Sequence, residues 1–141
     1  MSKIVGYTTG VFDLFHIGHL NIIKKSKLQC DELIVGVSSD RLVEDYKGSK
    51  PIIPCVERIQ IISALSAVDR VIEQTSLNKM EAWKKLGFNV LFHGNDWKGS
   101  TLYNSLVIDF KKLNVDIVFF EYTDGTSSTQ LKKYLNEQSY K

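Results

Sequence analysis

Residues 10–19 read GVFDLFHIGH and follow an apolar, β-branched run at 3–9, KIVGYTT. The run predicts a buried strand, and the residues after it predict a tight turn into a helix. His16 and His19 are three apart, so on a helix that begins near Gly18 both imidazoles lie on one face beside its N-terminus. The unpaired backbone N–H groups of a helix N-terminus attract phosphate, and two imidazoles add further N–H donors. This stretch therefore predicts a strand, a phosphate-binding turn and a helix.

The same order of strand and helix is repeated along the whole chain. Short apolar runs predict five strands, at 3–9, 32–38, 68–74, 89–93 and 116–121. Helical spacing between them predicts six helices, at 18–28, 40–46, 56–64, 78–86, 105–113 and 128–137. Strands that are apolar on both faces, such as LIVGV at 33–37, suit a parallel sheet covered by helices on both sides. We therefore expect an α/β fold with a Rossmann-like, doubly wound sheet of five mainly parallel strands.

The composition describes one ordinary domain over residues 1–141, typical of a soluble globular protein. The net charge of +2 comes mainly from fifteen lysines and three arginines spread along the chain, which argues against a nucleic-acid surface. No apolar run is long enough to cross a bilayer, and the start lacks an apolar leader. Cys30 and Cys55 have no metal-site spacing, so we expect reduced structural thiols in a cytoplasmic protein.

Polar clusters follow four of the five predicted strands. They are TTGVFD at 8–13, SSD at 38–40, HGNDW at 93–97 and YTDGTSST at 122–129. Because ligands of such sheets bind beyond the carboxyl ends of the strands, these clusters predict one site at that edge. The stretch YKGSKPIIP at 46–54 reads as a mobile loop beside it. Asp13 is either an ordinary turn aspartate or a residue that holds a magnesium ion or orients the histidines.

The motif GVFDLFHIGH resembles the signature of the HxGH nucleotidyltransferases, most closely that of the cytidylyltransferases. HGNDWKG at 93–99 is similar to the GDDW segment of the glycerol-3-phosphate cytidylyltransferases, and TDGTSST at 123–129 to their RTEGISTT segment. The resemblance implies an enzyme in which a small phosphorylated alcohol attacks the α-phosphorus of CTP and pyrophosphate leaves. It also implies Mg²⁺ bridging the nucleotide phosphates, and a homodimer that makes a precursor of a cell-surface polymer.

The resemblance assigns a role to each of a set of residues. His16 and His19 would stabilise the charge of the transferring phosphoryl group, and Lys47 would close over the triphosphate with the mobile loop as a lid. The nucleotide would be bound by Thr9, Gly10, Val11, Phe12, Asp13, Gly18, Lys50, Arg58, His93, Asn95, Asp96, Thr123, Gly125, Thr126, Ser127, Ser128 and Thr129. The acceptor would be bound by Asp13, Trp97 and Tyr122. Mg²⁺ would be held mainly by the phosphates, with Asp13 as a candidate ligand.

Two positions depart from the cytidylyltransferase pattern. Tyr122 and Ser66 stand where that pattern has arginines, and we expect each change to remove a cation from the phosphate site. ALSAVD at 64–69 and KGSKPIIP at 47–54 instead resemble segments of the ADP-heptose synthase nucleotidyltransferases, which use ATP and a sugar 1-phosphate. We therefore expect CTP first, with ATP as the alternative. A non-catalytic nucleotide-binding module is a further alternative, although it would not need both histidines.

Overall fold

A computed structural model describes residues 3–94, 100–121 and 127–139. Strands and helices alternate along these residues, as the sequence predicts. The strands are β1 (Val5–Gly10), β2 (Glu32–Ser38), β3 (Arg70–Gln74), β4 (Val90–Gly94) and β5 (Asp116–Phe120). The helices are α1 (Ile17–Lys27), α2 (Asp40–Lys47), α3 (Cys55–Ser63), α4 (Lys79–Leu86), α5 (Thr101–Lys111) and α6 (Ser128–Ser139).

The five strands form one sheet in the order β3-β2-β1-β4-β5, and every neighbouring pair is parallel. The central strand is β1, in which Thr8 lies opposite Val35 of β2 and opposite Phe92 of β4. The strand order reverses between β1 and β4, and in a doubly wound sheet ligands bind at this point. The predicted Rossmann-like fold is confirmed.

Helices cover both faces of the sheet, and the alternation of side chains along β2 shows how. Leu33, Val35 and Val37 belong to a core cluster with residues of α1 and α3, whereas Ile34 belongs to a second cluster with residues of α4 and α5. All four side chains are at most 1% exposed. A strand buried on both faces needs apolar residues at successive positions, which is the pattern that LIVGV displays.

The main error in the predicted elements is the start of α5. The helix begins at Thr101, four residues before the predicted Ser105, because the Ser100 hydroxyl accepts the Tyr103 backbone N–H at 3.2 Å and caps it. Residues 48–54 form the loop between α2 and α3, two residues shorter than the predicted loop at 46–54 because Tyr46 and Lys47 belong to α2. None of the helices in the described part of the chain is long and apolar enough to span a membrane.

Candidate active site

The N-terminus of α1 is capped by the two histidines of the motif. His16 is the N-cap residue, and its Nδ1 accepts the backbone N–H of Gly18 at 3.0 Å. The Nδ1 of His19 accepts the backbone N–H of His16 at 3.3 Å, so the two side chains form a reciprocal capping box. Because each Nδ1 is an acceptor, each neutral ring carries its proton on Nε2. The helix start therefore fixes the tautomer of both imidazoles.

The environment of the two rings favours their neutral form. Their centroids are 3.9 Å apart, and Phe12 and Phe15 each lie 5.4 Å from the ring of His19. Burial, and secondarily repulsion by His16, lowers the pKa of His19 to about 4. Burial also lowers the pKa of His16. Near neutral pH both rings are uncharged Nε2–H donors, which can stabilise charge that develops on a phosphoryl oxygen.

The turn that precedes α1 has an unusual backbone. Phe12 and Leu14 have φ angles of 56° and 49°, in the left-handed region that residues other than glycine seldom adopt. The Phe12 ring is buried against Gly10, where an added Cβ would lie 2.9 Å from a ring carbon. Gly10 therefore makes room for Phe12, which in turn packs against His19. Strained backbone of this kind is concentrated at functional sites.

A cavity of about 200 Å³ lies at the carboxyl end of β1. It is lined by Thr9, Gly10, Val11, Phe12, Asp13, His19, Ile22, Lys47, Ser128 and Lys132. All of these except Ile22 and Lys132 are residues to which the sequence assigns a role. The structure thus brings the motif, the end of α2 and the start of α6 together around one space.

Asp13 fastens the loop that follows α2. It is 2% exposed, and its carboxylate accepts the backbone N–H groups of Ile52 at 2.8 Å and Ile53 at 2.9 Å. Lys132 pairs with the same carboxylate at 3.1 Å. Although burial alone would raise the pKa of Asp13, the backbone donors and Lys132 outweigh it and lower the pKa. Asp13 also lines the cavity, and its metal and acceptor roles stay predictions.

Arg58 departs from its prediction, because it does not reach the cavity. The side chain is completely buried, and its N–H groups bind atoms of the protein. Nε donates to the carbonyl of Ile53 at 2.8 Å, and Nη1 donates to the carbonyls of Val11 and Ser38 at 2.7 Å each. Nη2 donates to Asp40 at 2.7 Å. Arg58 is therefore a brace that joins the motif turn, β2 and the loop, and it is not a nucleotide ligand.

Of the lysines and hydroxyls that are predicted to bind the phosphates, some line the cavity and others do not. Lys47 is the last residue of α2 and lines the cavity, whereas Lys50 is exposed on the loop and does not line it. Ser128 lines the cavity, and its hydroxyl donates to the Asp13 carbonyl at 2.5 Å. Ser127 caps α6 by accepting the backbone N–H of Gln130 at 3.0 Å.

Three further predicted ligands, Gly18, His93 and Thr129, are not among the described residues that line the cavity. Gly18 uses its backbone N–H to cap His16, and Thr129 is exposed near the start of α6. The ring of His93 lies 5.1 Å from that of Tyr103. The other predicted ligands lie outside the described residues: Asn95, Asp96, Trp97, Tyr122, Thr123, Gly125 and Thr126.

Two lysines to which the sequence assigns no role lie at this edge of the sheet. Lys132 lines the cavity and lies four residues after Ser128, a helical spacing that could have revealed it. Lys79 is 6% exposed, and its Nζ donates to Thr9 Oγ1 at 2.8 Å and to Gln74 Oε1 at 2.6 Å. Burial lowers the pKa of Lys79 to about 8. No local pattern distinguishes Lys79 from an ordinary helical surface lysine.

A larger cavity of about 410 Å³ lies at the opposite, amino edge of the sheet. It is lined mostly by apolar side chains and lysine stems from the end of α1 and the segment before β3, and Ser66 is among its lining residues. Ser66 is thus not among the described residues that line the cavity beside His19.

The described residues contain no group of three or more histidine, cysteine or acidic side chains that could hold a metal. Asp13, the predicted candidate ligand of magnesium, lies at the cavity as a single carboxylate.

Comparisons with known proteins agree with this geometry. A family model described as cytidylyltransferase-like matches residues 7–134. The chain is 35% identical over 136 residues to the bifunctional protein HldE of Caulobacter sp. (strain K31), covering 94% of this chain and 27% of that protein. It is 30% identical over 137 residues to the FAD synthase of Thermococcus sibiricus, covering 96% of this chain and 93% of that enzyme. The chain therefore spans only about a quarter of the length of HldE.

A solved structure shows the same architecture. The lipopolysaccharide core biosynthesis protein from Thermoplasma volcanium superposes with a TM-score of 0.73 at 29% identity, covering 89% of this chain and all of that one. A parallel sheet with an HxGH-capped helix at its switch point is a Rossmann-like fold with a ligand-binding edge. The chain belongs to the cytidylyltransferase-like family.

Proposed function

We propose that the chain transfers the cytidylyl group of CTP to the phosphate of a small phosphorylated alcohol and releases pyrophosphate. The observation that carries this proposal is the pair of neutral imidazoles at the start of α1, with His19 at a cavity that Lys47 and Ser128 also line. Fixed donors of this kind are suited to an anion whose charge changes during a reaction. A module that only binds nucleotide would not need them.

The chemistry follows from these groups. A phosphate oxygen of the acceptor attacks the α-phosphorus in line, and the bond from that phosphorus to the bridging oxygen of the β-phosphate breaks. The acceptor phosphate is already ionised, so the attack requires no general base. His16 and His19 donate their Nε2–H groups to the α-phosphoryl oxygens, while Lys47 binds the departing pyrophosphate. Each such donor contributes a few kcal/mol, about 10²–10³-fold in rate.

Magnesium enters this scheme with the substrate. The ion would be held mainly by the phosphates of the nucleotide and would arrive as a complex with them, with Asp13 at the cavity as a candidate ligand. The protein's own part is to position the phosphates and to donate hydrogen bonds to them.

The choice of CTP rests on the sequence HGNDWKG at 93–99, which lies mostly outside the described residues. A second candidate is an adenylyltransferase that uses ATP and a sugar phosphate. The similarity to HldE and to an FAD synthase favours it, since formation of FAD adds an adenylyl group to a phosphate. The segments at 47–54 and 64–69 favour it as well.

The test is pyrophosphate release with magnesium, with CTP and ATP offered in parallel against polyol phosphates, sugar 1-phosphates and FMN. Release with CTP and a polyol phosphate supports the proposal, whereas release only with ATP supports the second candidate. If no pair releases pyrophosphate while nucleotide still binds, the chain is a binding module and both proposals are wrong.

We also propose that the chain acts as a homodimer and supplies a nucleotide-activated precursor for a cell-surface polymer. The similarity to a protein of lipopolysaccharide core biosynthesis supports the second part. Light scattering coupled to size exclusion measures the first, and the identity of the accepted alcohol phosphate decides the second.

A further inference from the structure

A buried polar cluster lies beside the cavity, and Thr9 belongs to both. Thr9 lines the cavity, and its Oγ1 accepts a hydrogen bond from Lys79 Nζ at 2.8 Å. Lys79 also donates to Gln74 Oε1 at 2.6 Å, and Gln74 Nε2 donates to Ser38 Oγ at 3.0 Å. Lys79, Gln74 and Ser38 are each at most 6% exposed. The proposed reaction uses none of these three side chains.

The Thr9 side chain is held on two sides. Thr9 lies opposite Gly36 of β2, and a Cβ at Gly36 would lie 3.0 Å from Thr9 Cγ2. The methyl group therefore occupies space that the glycine leaves, while the hydroxyl oxygen faces Lys79. Valine at position 9 would keep the methyl contact and lose only the hydroxyl.

The direction of the hydrogen bond from Lys79 decides what the Thr9 hydroxyl can do. An ammonium group has three donors and no acceptor, so Thr9 Oγ1 can only accept from it. Burial lowers the pKa of Lys79 to about 8, which leaves the side chain mostly protonated at neutral pH. The hydroxyl hydrogen must then point away from Lys79, and none of the described residues accepts it. Thr9 thus retains a hydrogen-bond donor at the wall of the cavity.

We propose that Lys79 is a positioning residue that turns the Thr9 hydroxyl toward the cavity, where it donates a hydrogen bond to a phosphate oxygen of a substrate. Lys79 is not among the described residues that line the cavity, so it acts through Thr9. This inference rests on the proposed nucleotidyl transfer, in which both the nucleotide and the acceptor carry phosphate oxygens.

Thr9→Val, Lys79→Met and the double variant form a cycle that tests this inference. Calorimetry measures Kd for tripolyphosphate, which represents the nucleotide, and for glycerol 3-phosphate, which represents the acceptor. We expect each single variant to raise one of these Kd values about tenfold, because the oriented donor to an ionised oxygen is lost. The double variant should bind no more weakly than Thr9→Val, since Lys79 has nothing to orient once the hydroxyl is absent.

The probe whose Kd rises identifies the phosphate that Thr9 binds. KM for the corresponding substrate should rise with it, while kcat stays near that of the parent. Thr9→Ser keeps the hydroxyl and should retain most of the binding. Lys84→Met removes an exposed lysine from the same helix and should match the parent. Thermal unfolding is measured for every variant, and Lys79→Leu takes the place of Lys79→Met in the cycle if the latter folds poorly.

Three results would overturn the inference. Unchanged Kd values in Thr9→Val would mean that its hydroxyl binds no phosphate. A further loss of binding in the double variant would mean that Lys79 acts independently of Thr9. A lower melting temperature of Lys79→Met with unchanged Kd values would make the buried cluster purely structural. If the parent releases no pyrophosphate with any substrate pair but the cycle shows the expected coupling in Kd, the proposed function fails while the role of Lys79 stands.

Discussion

At the amino edge of the sheet, polar side chains bind the backbone where strands begin. Asn89 accepts the backbone N–H of Val5 at 2.7 Å, and Asp69 accepts that of Leu33 at 2.8 Å. Asp69 also pairs with Lys27 at 2.6 Å. The Asn89 amide oxygen and the Asp69 carboxylate thus bind nearby parts of the protein, and the cavity that Ser66 lines at this edge is mostly apolar.

At the carboxyl edge, similar residue types are used in two ways. Arg58 is completely buried and binds backbone groups, whereas His19, Lys47 and Lys132 line a cavity. Asp13 does both, since it fastens the loop and lines the cavity. The two groups of residues differ in burial, and in whether a hydrogen-bond donor remains once the contacts within the protein are made. A polar residue in a motif is therefore a ligand only where its structural partners leave a donor that faces open space.

Replacing Arg58 tests this distinction with the largest expected effect. Arg58→Met leaves the carbonyls of Val11, Ser38 and Ile53 without a buried donor and unpairs Asp40. We expect the free energy of unfolding to fall by about 3–5 kcal/mol, because three carbonyl oxygens lose the donor that satisfies them inside the protein. Urea denaturation measures it, and Arg41→Met, at an exposed position on α2, is the control with little change. Unchanged stability with a higher KM for nucleotide would instead make Arg58 a ligand.

The fold could be predicted almost completely from the sequence, because its signal is local. The runs at 32–38 and 116–121 are apolar at successive positions, and helical spacing between strands leaves few alternatives to a parallel sheet. The predicted α5 starts four residues too late, because the cap formed by Ser100 lies ahead of the apolar spacing on which that prediction depends.

The site was only partly predictable, since its contacts join distant parts of the chain. The HxGH pair could be placed because both residues lie on one helical turn. The hydrogen bond from Ser128 to Asp13 spans 115 positions, and the bond from Lys79 to Thr9 spans 70. No periodicity encodes such partners, so the sequence could not show that Arg58 is a brace or that Lys79 is buried.

His19→Ala tests whether a histidine that lines the cavity stabilises charge during the reaction. It removes an Nε2–H donor that the fold itself does not use, and we expect kcat for pyrophosphate release to fall about 10²–10³-fold. The same substitution removes packing against Phe12 and Phe15, so thermal unfolding is measured alongside. A kcat within about fivefold of the parent, in folded protein, contradicts the assignment of His19 as a stabilising donor.

Lys79→Met tests whether the burial of the Lys79 ammonium beside Thr9 makes the free energy of unfolding depend on pH. The pKa of Lys79 is about 8 in the folded protein and near 10.5 when exposed, so between these values the unfolded chain binds more protons. The contribution of Lys79 to the free energy of unfolding therefore increases as the pH rises from 8 to 10.5. We expect the difference in unfolding free energy, parent minus Lys79→Met, to grow by about 1 kcal/mol per pH unit in that window.

Urea denaturation at pH 7, 8, 9 and 10 measures this difference. Lys84→Met removes a lysine from an exposed position on the same helix and is the control, for which the difference stays constant with pH. A constant difference for Lys79→Met as well would mean that Lys79 keeps the ordinary pKa of an exposed lysine. Lys79 would then behave as a solvated lysine, and its burial in the structure would not affect its protonation.

The smallest expected effect lies at the amino edge, where Asn89→Ala removes the acceptor of the Val5 backbone N–H. The bond is exposed, so water replaces it in part, and we expect a loss of about 0.5–1 kcal/mol in unfolding free energy. Asn89→Asp keeps an oxygen at this place and should retain the parent's stability. In both variants kcat and KM stay unchanged, because no donor to the cavity is altered. A fall in kcat without a fall in stability would show that the start of β4 is coupled to the site at the carboxyl edge. The amino edge would then affect catalysis as well as stability, which contradicts the difference drawn between the two edges.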